Sequence, residues 1–214
     1  MYNVLREQIM TGKLTPGKPI NIKDVQRNYG VALSAVREAL CQLAADGLVI
    51  AEDQRGFRAA PISKRDLLDL TRARIEIESF ALRDAIANGD IQWEANILAE
   101  FHKLSQMRSR DSTNSRLITD AYRAQHKAFH QALIAACSSR WMMQFCSTLF
   151  EHSERYRQVV VAYNDQPRNI VEEHRALMNA ALERNADLAA ELIAEHVNRT
   201  AHLLLQLGVT DNEG

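Results

Sequence analysis

The stretch Ser34-Ala35-Val36-Arg37-Glu38-Ala39-Leu40-Cys41-Gln42-Leu43-Ala44-Ala45-Asp46-Gly47-Leu48-Val49-Ile50-Ala51 decides the fold of the first sixty residues. Val36, Leu40 and Leu43 recur at helical spacing, so Ser34 to Ala45 is expected to form a helix with one apolar stripe, stopped by Gly47. The composition then changes. Leu48-Val49-Ile50-Ala51 has strand character, Glu52-Asp53-Gln54-Arg55-Gly56 is polar and turn-forming, and Phe57-Arg58-Ala59-Ala60 returns as a second strand. Upstream, Ile22 to Tyr29 closed by Gly30 predicts a short helix. Val4, Leu5, Gln8 and Ile9 predict another, ended near Gly12 and followed by the turn Thr15-Pro16-Gly17. Two short helices flanking a tight turn, then a small hairpin, make the pattern of a winged helix-turn-helix over residues 1–62.

Pro61 ends that pattern, and Ser63 followed by Asp66 marks the start of a long helix. Beyond it the periodicity is helical throughout. Helices are expected over 64–88, 91–108, 116–136, 140–163, 168–184 and 187–207. They are separated by Asn88-Gly89-Asp90, the polar run Asp111 to Ser115, Ser138-Ser139, Asn164 to Pro167, and Asn185. The expected architecture is mainly α, with the winged module in front of an all-helical bundle over residues 63–214.

Composition bounds the function. With 214 residues, 46% hydrophobic, 25% charged and a net charge of −1, the chain is an ordinary globular one. It has no apolar run near the roughly 20 residues that span a bilayer. The opening MYNVLREQIM lacks a long apolar core and a small-residue cleavage site, so a cytoplasmic protein without membrane partners is expected. Cys41, Cys137 and Cys146 are odd in number and widely spaced, which argues against a disulfide framework or a thiolate metal site. Residues 1–60 carry 8 Lys/Arg against 6 Asp/Glu. So mild a positive bias means that binding to a polyanion would rest on a few well-placed cations.

A helix that reads the DNA major groove needs polar side chains near its N-terminus and an apolar stripe to fix its angle. Ser34 and Arg37 stand at that end, and Arg37 can reach guanine O6/N7 or a phosphate. Arg55 and Arg58 flank the wing glycine and are further candidates, and Arg6 on the first helix is a weaker one. Each has the ordinary alternative of a solvated surface charge.

The ordered set Gly12-x-Leu14-x-Pro16-Gly17, Tyr29-Gly30-Val31, Val36-Arg37-Glu38-Ala39-Leu40, Asp46-Gly47-Leu48-Val49 and Arg55-Gly56-Phe57 resembles the winged helix-turn-helix of GntR-family bacterial transcription regulators. The chain departs from many relatives in carrying Ala32-Leu33-Ser34 where they have an arginine shortly before the recognition helix. The second segment resembles the all-helical ligand-binding domain of the fatty-acid-regulator subfamily. That likeness rests on Arg74-x-x-Ile77-Glu78-x-x-Ala81-Leu82, Phe129-His130-x-x-Leu133, His174 and His196. It implies a homodimeric regulator, most commonly a repressor, released from a double-stranded DNA operator by a small carboxylate. It also implies a divalent metal held by one aspartate and three histidines. Here His126 stands four residues before His130, where the aspartate is usual, so either His126 ligates as a fourth imidazole or the site has three ligands.

The histidines also make physical sense by themselves. His126 and His130, four apart, project from one helix face, and His174 and His196 lie on two later helices that antiparallel packing can bring to the same depth. Imidazoles suit zinc, or nickel or another transition metal, and must be neutral to ligate, so affinity is expected to fall as pH drops through about 6.5. Arg74 is expected to assist the carboxylate, its alternative being an ion pair with Glu78. Arg155-Tyr156-Arg157 offers a second anion contact or a solvated face. The competing class is an all-helical metal-dependent enzyme. Against it, His126-Lys127-x-x-His130 has zincin spacing but lysine in place of the water-activating glutamate. A Gly-rich phosphate loop and a Gly-x-Ser-x-Gly elbow are both lacking.

Overall fold

A computed structural model describes residues 1–53, 55–107, 118–163 and 168–208. The chain divides into two compact units, Met1–Lys64 and Arg65–Gly208. The loop runs expected at Asp111 to Ser115 and Asn164 to Pro167 lie outside the described residues.

The first unit holds α1 (Tyr2–Met10), β1 (Pro19–Ile20), α2 (Ile22–Tyr29), α3 (Leu33–Ala45), β2 (Val49–Glu52) and β3 (Gly56–Ala59). Its core holds Leu5 and Ile9 from α1, Val25 from α2, and the predicted stripe Val36, Leu40 and Leu43 from α3, closed by Ile20, Val49 and Ala59 from the sheet, whereas Val4, grouped with Leu5 and Ile9 in the sequence, is exposed. Local chemistry fixes the helix ends. The Asn21 side chain accepts from the backbone N–H of Lys23 and Asp24 to start α2, and Gly30, at φ 62°, ends it in the left-handed conformation that glycine adopts without strain. The wing is a three-stranded antiparallel sheet ordered β1-β3-β2. Pro19 pairs with Arg58 and Ile50 pairs with Arg58 from the other side, so β3 is the central strand. The sequence reading gives a two-stranded hairpin. The extra strand is two residues long, too short for a period of two to register, and its proline sits at the first position of an edge strand, where the missing N–H costs nothing.

The second unit is helical: α4 (Lys64–Asn88), α5 (Ile91–Ser105), α6 (Asp120–Leu133), α7 (Arg140–Tyr163), α8 (Ile170–Leu182) and α9 (Ala186–Gln206). Side-chain caps set four of these starts. Asp90, Thr119, Asn169 and Asn185 each accept from the backbone N–H three residues on, from Trp93, Tyr122, Glu172 and Leu188 respectively. The last three fix the helices that carry the four central histidines. The core runs through Leu82, Ala85 and Ile86 of α4, Ile97 and Phe101 of α5, Phe129 and Leu133 of α6, Cys146 of α7, Leu177 of α8, and Ile193 and Val197 of α9. No helix among the described residues is long and apolar enough to cross a membrane.

Candidate metal centre and nucleic-acid interface

Apolar packing of the second unit leaves one polar focus at its middle. His126 and His130 from α6, His174 from α8 and His196 from α9 are all buried, and one ligating nitrogen from each lies within 4.8 Å of the other three. Ring centroids are 4.6 Å apart for His126 and His130, 5.0 Å for His126 and His174, and 4.9 Å for His174 and His196. The i, i+4 spacing on α6 supplies one pair. The second comes from the α8–α9 hairpin, whose tight connection uses Arg184 at φ 58° and the Asn185 cap. Phe150 of α7 packs against both His126 and His130, at 5.3 and 5.2 Å between centroids, and Phe129 packs against His174 at 5.1 Å.

Hydrogen bonding divides the four. His196 Nδ1 lies 2.9 Å from Glu173 Oε2, which fixes its ring and turns Nε2 to the cluster. The buried Nδ1 of His126 and the buried Nε2 atoms of His130 and His174 have no hydrogen-bond partner. An unsatisfied buried polar atom costs roughly 1–3 kcal/mol, and an ion held among the four rings would relieve those that turn toward it. In a tetrahedral zinc site with bonds of about 2.0–2.1 Å the ligand atoms are about 3.4 Å apart, so the nitrogens, within 4.8 Å of one another, would have to draw together to surround an ion.

The electrostatics keep the imidazoles neutral. Burial, reinforced by the Arg157 charge and the other imidazoles, drives the His126 pKa well below its ordinary value. Burial does the same at His130 and at His174. His196 is pushed by burial down to about 4, although its hydrogen bond to Glu173 pulls the other way. Protonation of these rings is therefore displaced from the ordinary histidine range to lower pH.

Around the histidines stands a shell of paired charges. Arg168 bonds the Glu173 carboxylate through Nε and Nη2, at 2.9 and 2.6 Å, and Arg199 adds a contact at 3.0 Å. Arg157 grips Glu154, its Nε donating to Oε1 at 2.7 Å, and its guanidinium lies over the Tyr122 ring. Glu154 Oε1 comes within 3.8 Å of His126 Nδ1, too far for a hydrogen bond and, with His126 neutral, no ion pair.

Arg74, expected at the carboxylate, has its guanidinium engaged: Nε and Nη2 donate to Glu78 at 2.6 and 3.2 Å, and Nη1 to Ser153 Oγ at 3.0 Å. The ion-pair alternative is the one that forms. Arg155 and Tyr156 are buried and Arg157 nearly so, which corrects the solvated-face reading of that segment. Glu173, Arg168 and Glu154 escaped the sequence reading. The signal that could have found Glu173 was an acidic residue adjoining a candidate ligand, where histidine ligands commonly carry a carboxylate behind them.

In the first unit, Ser34 and Arg37 are exposed on α3, and Arg37 makes no hydrogen bond or ion pair among the described residues. Arg55 is exposed in the wing turn. Arg58 differs. As a central-strand residue it is half-buried and ion-paired with Glu52 across the sheet. Arg6 is half-buried on α1 and already partnered.

Comparisons with known proteins identify the family of both units. Residues 1–58 match the model for bacterial regulatory proteins of the gntR family, and residues 69–199 match the FCD domain model. The chain is 38% identical over 208 residues to the uncharacterized HTH-type transcriptional regulator BphR of Paraburkholderia xenovorans, covering 97% of this chain and 85% of that protein. It is 32% identical over 200 residues to the HTH-type transcriptional repressor GlaR of Escherichia coli, covering 92% and 90%. Among solved structures, McbR/YncC of Escherichia coli shares the fold, with a TM-score of 0.74 at 20% identity over 96% of this chain and 95% of that one. A helix-turn-helix unit and, after it in sequence, a helical FCD unit, with these relatives, place this chain in the GntR family of bacterial regulatory proteins, as a DNA-binding transcriptional regulator.

Proposed function

We propose that this regulator is a repressor whose grip on DNA responds to a small carboxylate bound at a divalent metal in the FCD unit. The observation that carries the reading is the buried cluster of four imidazoles with ring nitrogens within 4.8 Å of one another, three of the rings having an unpartnered nitrogen and the fourth held by Glu173. His126, His130, His174 and His196 would hold the ion, with zinc the first candidate and nickel or another transition metal the alternative. Four neutral imidazoles leave a divalent ion its whole charge, and the chemistry it supplies is that of a Lewis acid toward a carboxylate oxygen.

The protein's own groups do the rest. Glu173, charged and braced by Arg168, orients His196, while Phe150 and Phe129 wall the imidazoles from water. Ser34, Arg37 and Arg55 form the DNA-reading face, and two copies on a near-palindrome would place two recognition helices on adjacent half-sites. Arg74 stiffens the wall beside the site through Glu78 and Ser153.

The test is metal stoichiometry by elemental analysis on wild type and on the single His→Ala variants, with gel shifts on DNA flanking the gene. One ion per chain is expected, reduced in His174→Ala, with carboxylate weakening the wild-type gel shift. A wild type that stays metal-free after reconstitution overturns the sensor reading and leaves DNA binding intact.

A further inference from the structure

A pocket lined by His130 opens between α4, α6, α7 and α9; it encloses about 30 Å³ and continues into an open mouth. Its walls are dominated by Leu82, Leu133, Ile134, Phe150 and Ile193. Phe150 is shared with the site, since its ring packs on both His126 and His130. A molecule that reaches the histidines by this route therefore lays the rest of its body against hydrocarbon.

The charges along the cavity are already committed. Glu78 lines it and is held by Arg74 at two points. Lys127 is the cation among the lining residues, and it is ion-paired with Glu151. Deeper, Arg157 is committed to Glu154 and Arg168 to Glu173. A ligand's first carboxylate finds the metal in the reading above. A second one, carried into the cavity, would meet apolar walls and the Glu78 carboxylate, with no uncommitted cation among the described lining residues to receive it. Burying a charge without a partner is strongly disfavoured, and rejection by an unpaired charge is a common source of specificity.

We infer that the effector of this regulator is a monocarboxylate with an apolar body, an aliphatic chain or a ring, and that dicarboxylates are excluded by the cavity beside His130. The inference rests on the metal–carboxylate reading and narrows its ligand class.

Hexanoate and adipate test it, since they share a six-carbon chain and differ in one terminal carboxylate. Calorimetric titration of full-length, metal-reconstituted protein should show hexanoate binding at least tenfold tighter than adipate. Butyrate should be weaker than hexanoate, because less chain reaches the apolar wall. Gln131, exposed at the cavity rim, allows the charge argument to be tested without disturbing the core. Gln131→Arg should narrow the hexanoate-to-adipate ratio several-fold, and an unchanged ratio removes charge as its source. Adipate binding as tightly as hexanoate, or tighter, overturns the inference and leaves the metal–carboxylate reading standing. Binding of neither acid to fully metallated protein overturns that reading itself.

Discussion

Glu173 Oε2 lies 2.9 Å from Nδ1 of His196, linking one member of the histidine cluster to a carboxylate that sits next in sequence to another, His174. Burial works against a charge there, yet hydrogen bonds from Arg168 and His196 hold the Glu173 carboxyl well below the usual carboxylate range. It is therefore an anion that accepts Nδ1–H and leaves Nε2 free to ligate. Glu173→Gln keeps the side-chain shape but removes the charge that orients and enriches the ring. Metal affinity is expected to fall about 10–100-fold, with folding retained. Competition against a calibrated chelator measures it, and unchanged affinity would mean that the pairing serves only packing.

Acid sensitivity follows from the depressed histidines. His196 titrates near 4 in the folded, metal-free chain, against about 6.5 unfolded. Between those values the unfolded state binds more protons than the folded one, so stability falls as pH drops from about 6.5 toward 4 and is level above about 7.5. For His196 alone the loss is on the order of 3 kcal/mol, and His126, His130 and His174 shift in the same direction. Urea unfolding of chelator-treated protein at pH 8, 6 and 5 should show this decline, and His196→Phe should make it shallower, the other three histidines keeping their share. A stability that is constant over that range would contradict burial as the dominant influence.

Gly89 ends α4 against an aromatic ring. Any Cβ at this position would fall within the ring of Trp93, which is itself buried and stacked under the Arg184 guanidinium at 5.0 Å. Gly89→Ala is expected to cost about 1–3 kcal/mol through overpacking. Urea unfolding followed by tryptophan fluorescence should register it. Stability equal to wild type would mean that the ring moves aside freely.

The parts of this molecule that were legible in sequence are those with a period. Leu5 and Ile9, then Val36, Leu40 and Leu43, announce their helices because one face must meet a core, and the structure buries those residues. The histidine cluster was half visible. His126 and His130 share a face by spacing alone, whereas the meeting with His174 and His196 depends on how two later helices pack. Charge partners were less legible, because an ion pair between distant elements leaves no local pattern: Arg168 reaches Thr200 and the backbone of His196, and Gln158 meets the backbone of Ile118. Arg155 and Tyr156 read as surface residues since a buried polar helix face has the same composition as a solvated one. Strand β1 has the same difficulty at shorter range, for two residues cannot display alternation.

That unseen strand changes what the wing arginines are expected to do. By placing β3 between two neighbours, β1 puts Arg58 on a central strand, where it is half-buried against Glu52, while Arg55 stays exposed in the turn and Arg37 stays exposed on α3. Arg37→Ala is expected to weaken operator binding by about 1–3 kcal/mol if its guanidinium spans a guanine edge. It should leave helix content unchanged, because Arg37 has no partner to lose among the described residues. Arg55→Ala, a phosphate contact on this geometry, should weaken specific and nonspecific DNA alike and reduce the salt slope by about 1. Arg58→Ala should act through the fold, leaving Glu52 unpaired and lowering the stability of the first unit more than its intrinsic DNA affinity. Gel shifts at two salt concentrations, paired with urea unfolding of each variant, separate the three. An Arg58→Ala protein of wild-type stability that loses base discrimination, beside an Arg37→Ala protein that keeps it, would move the reading residue from the helix to the wing.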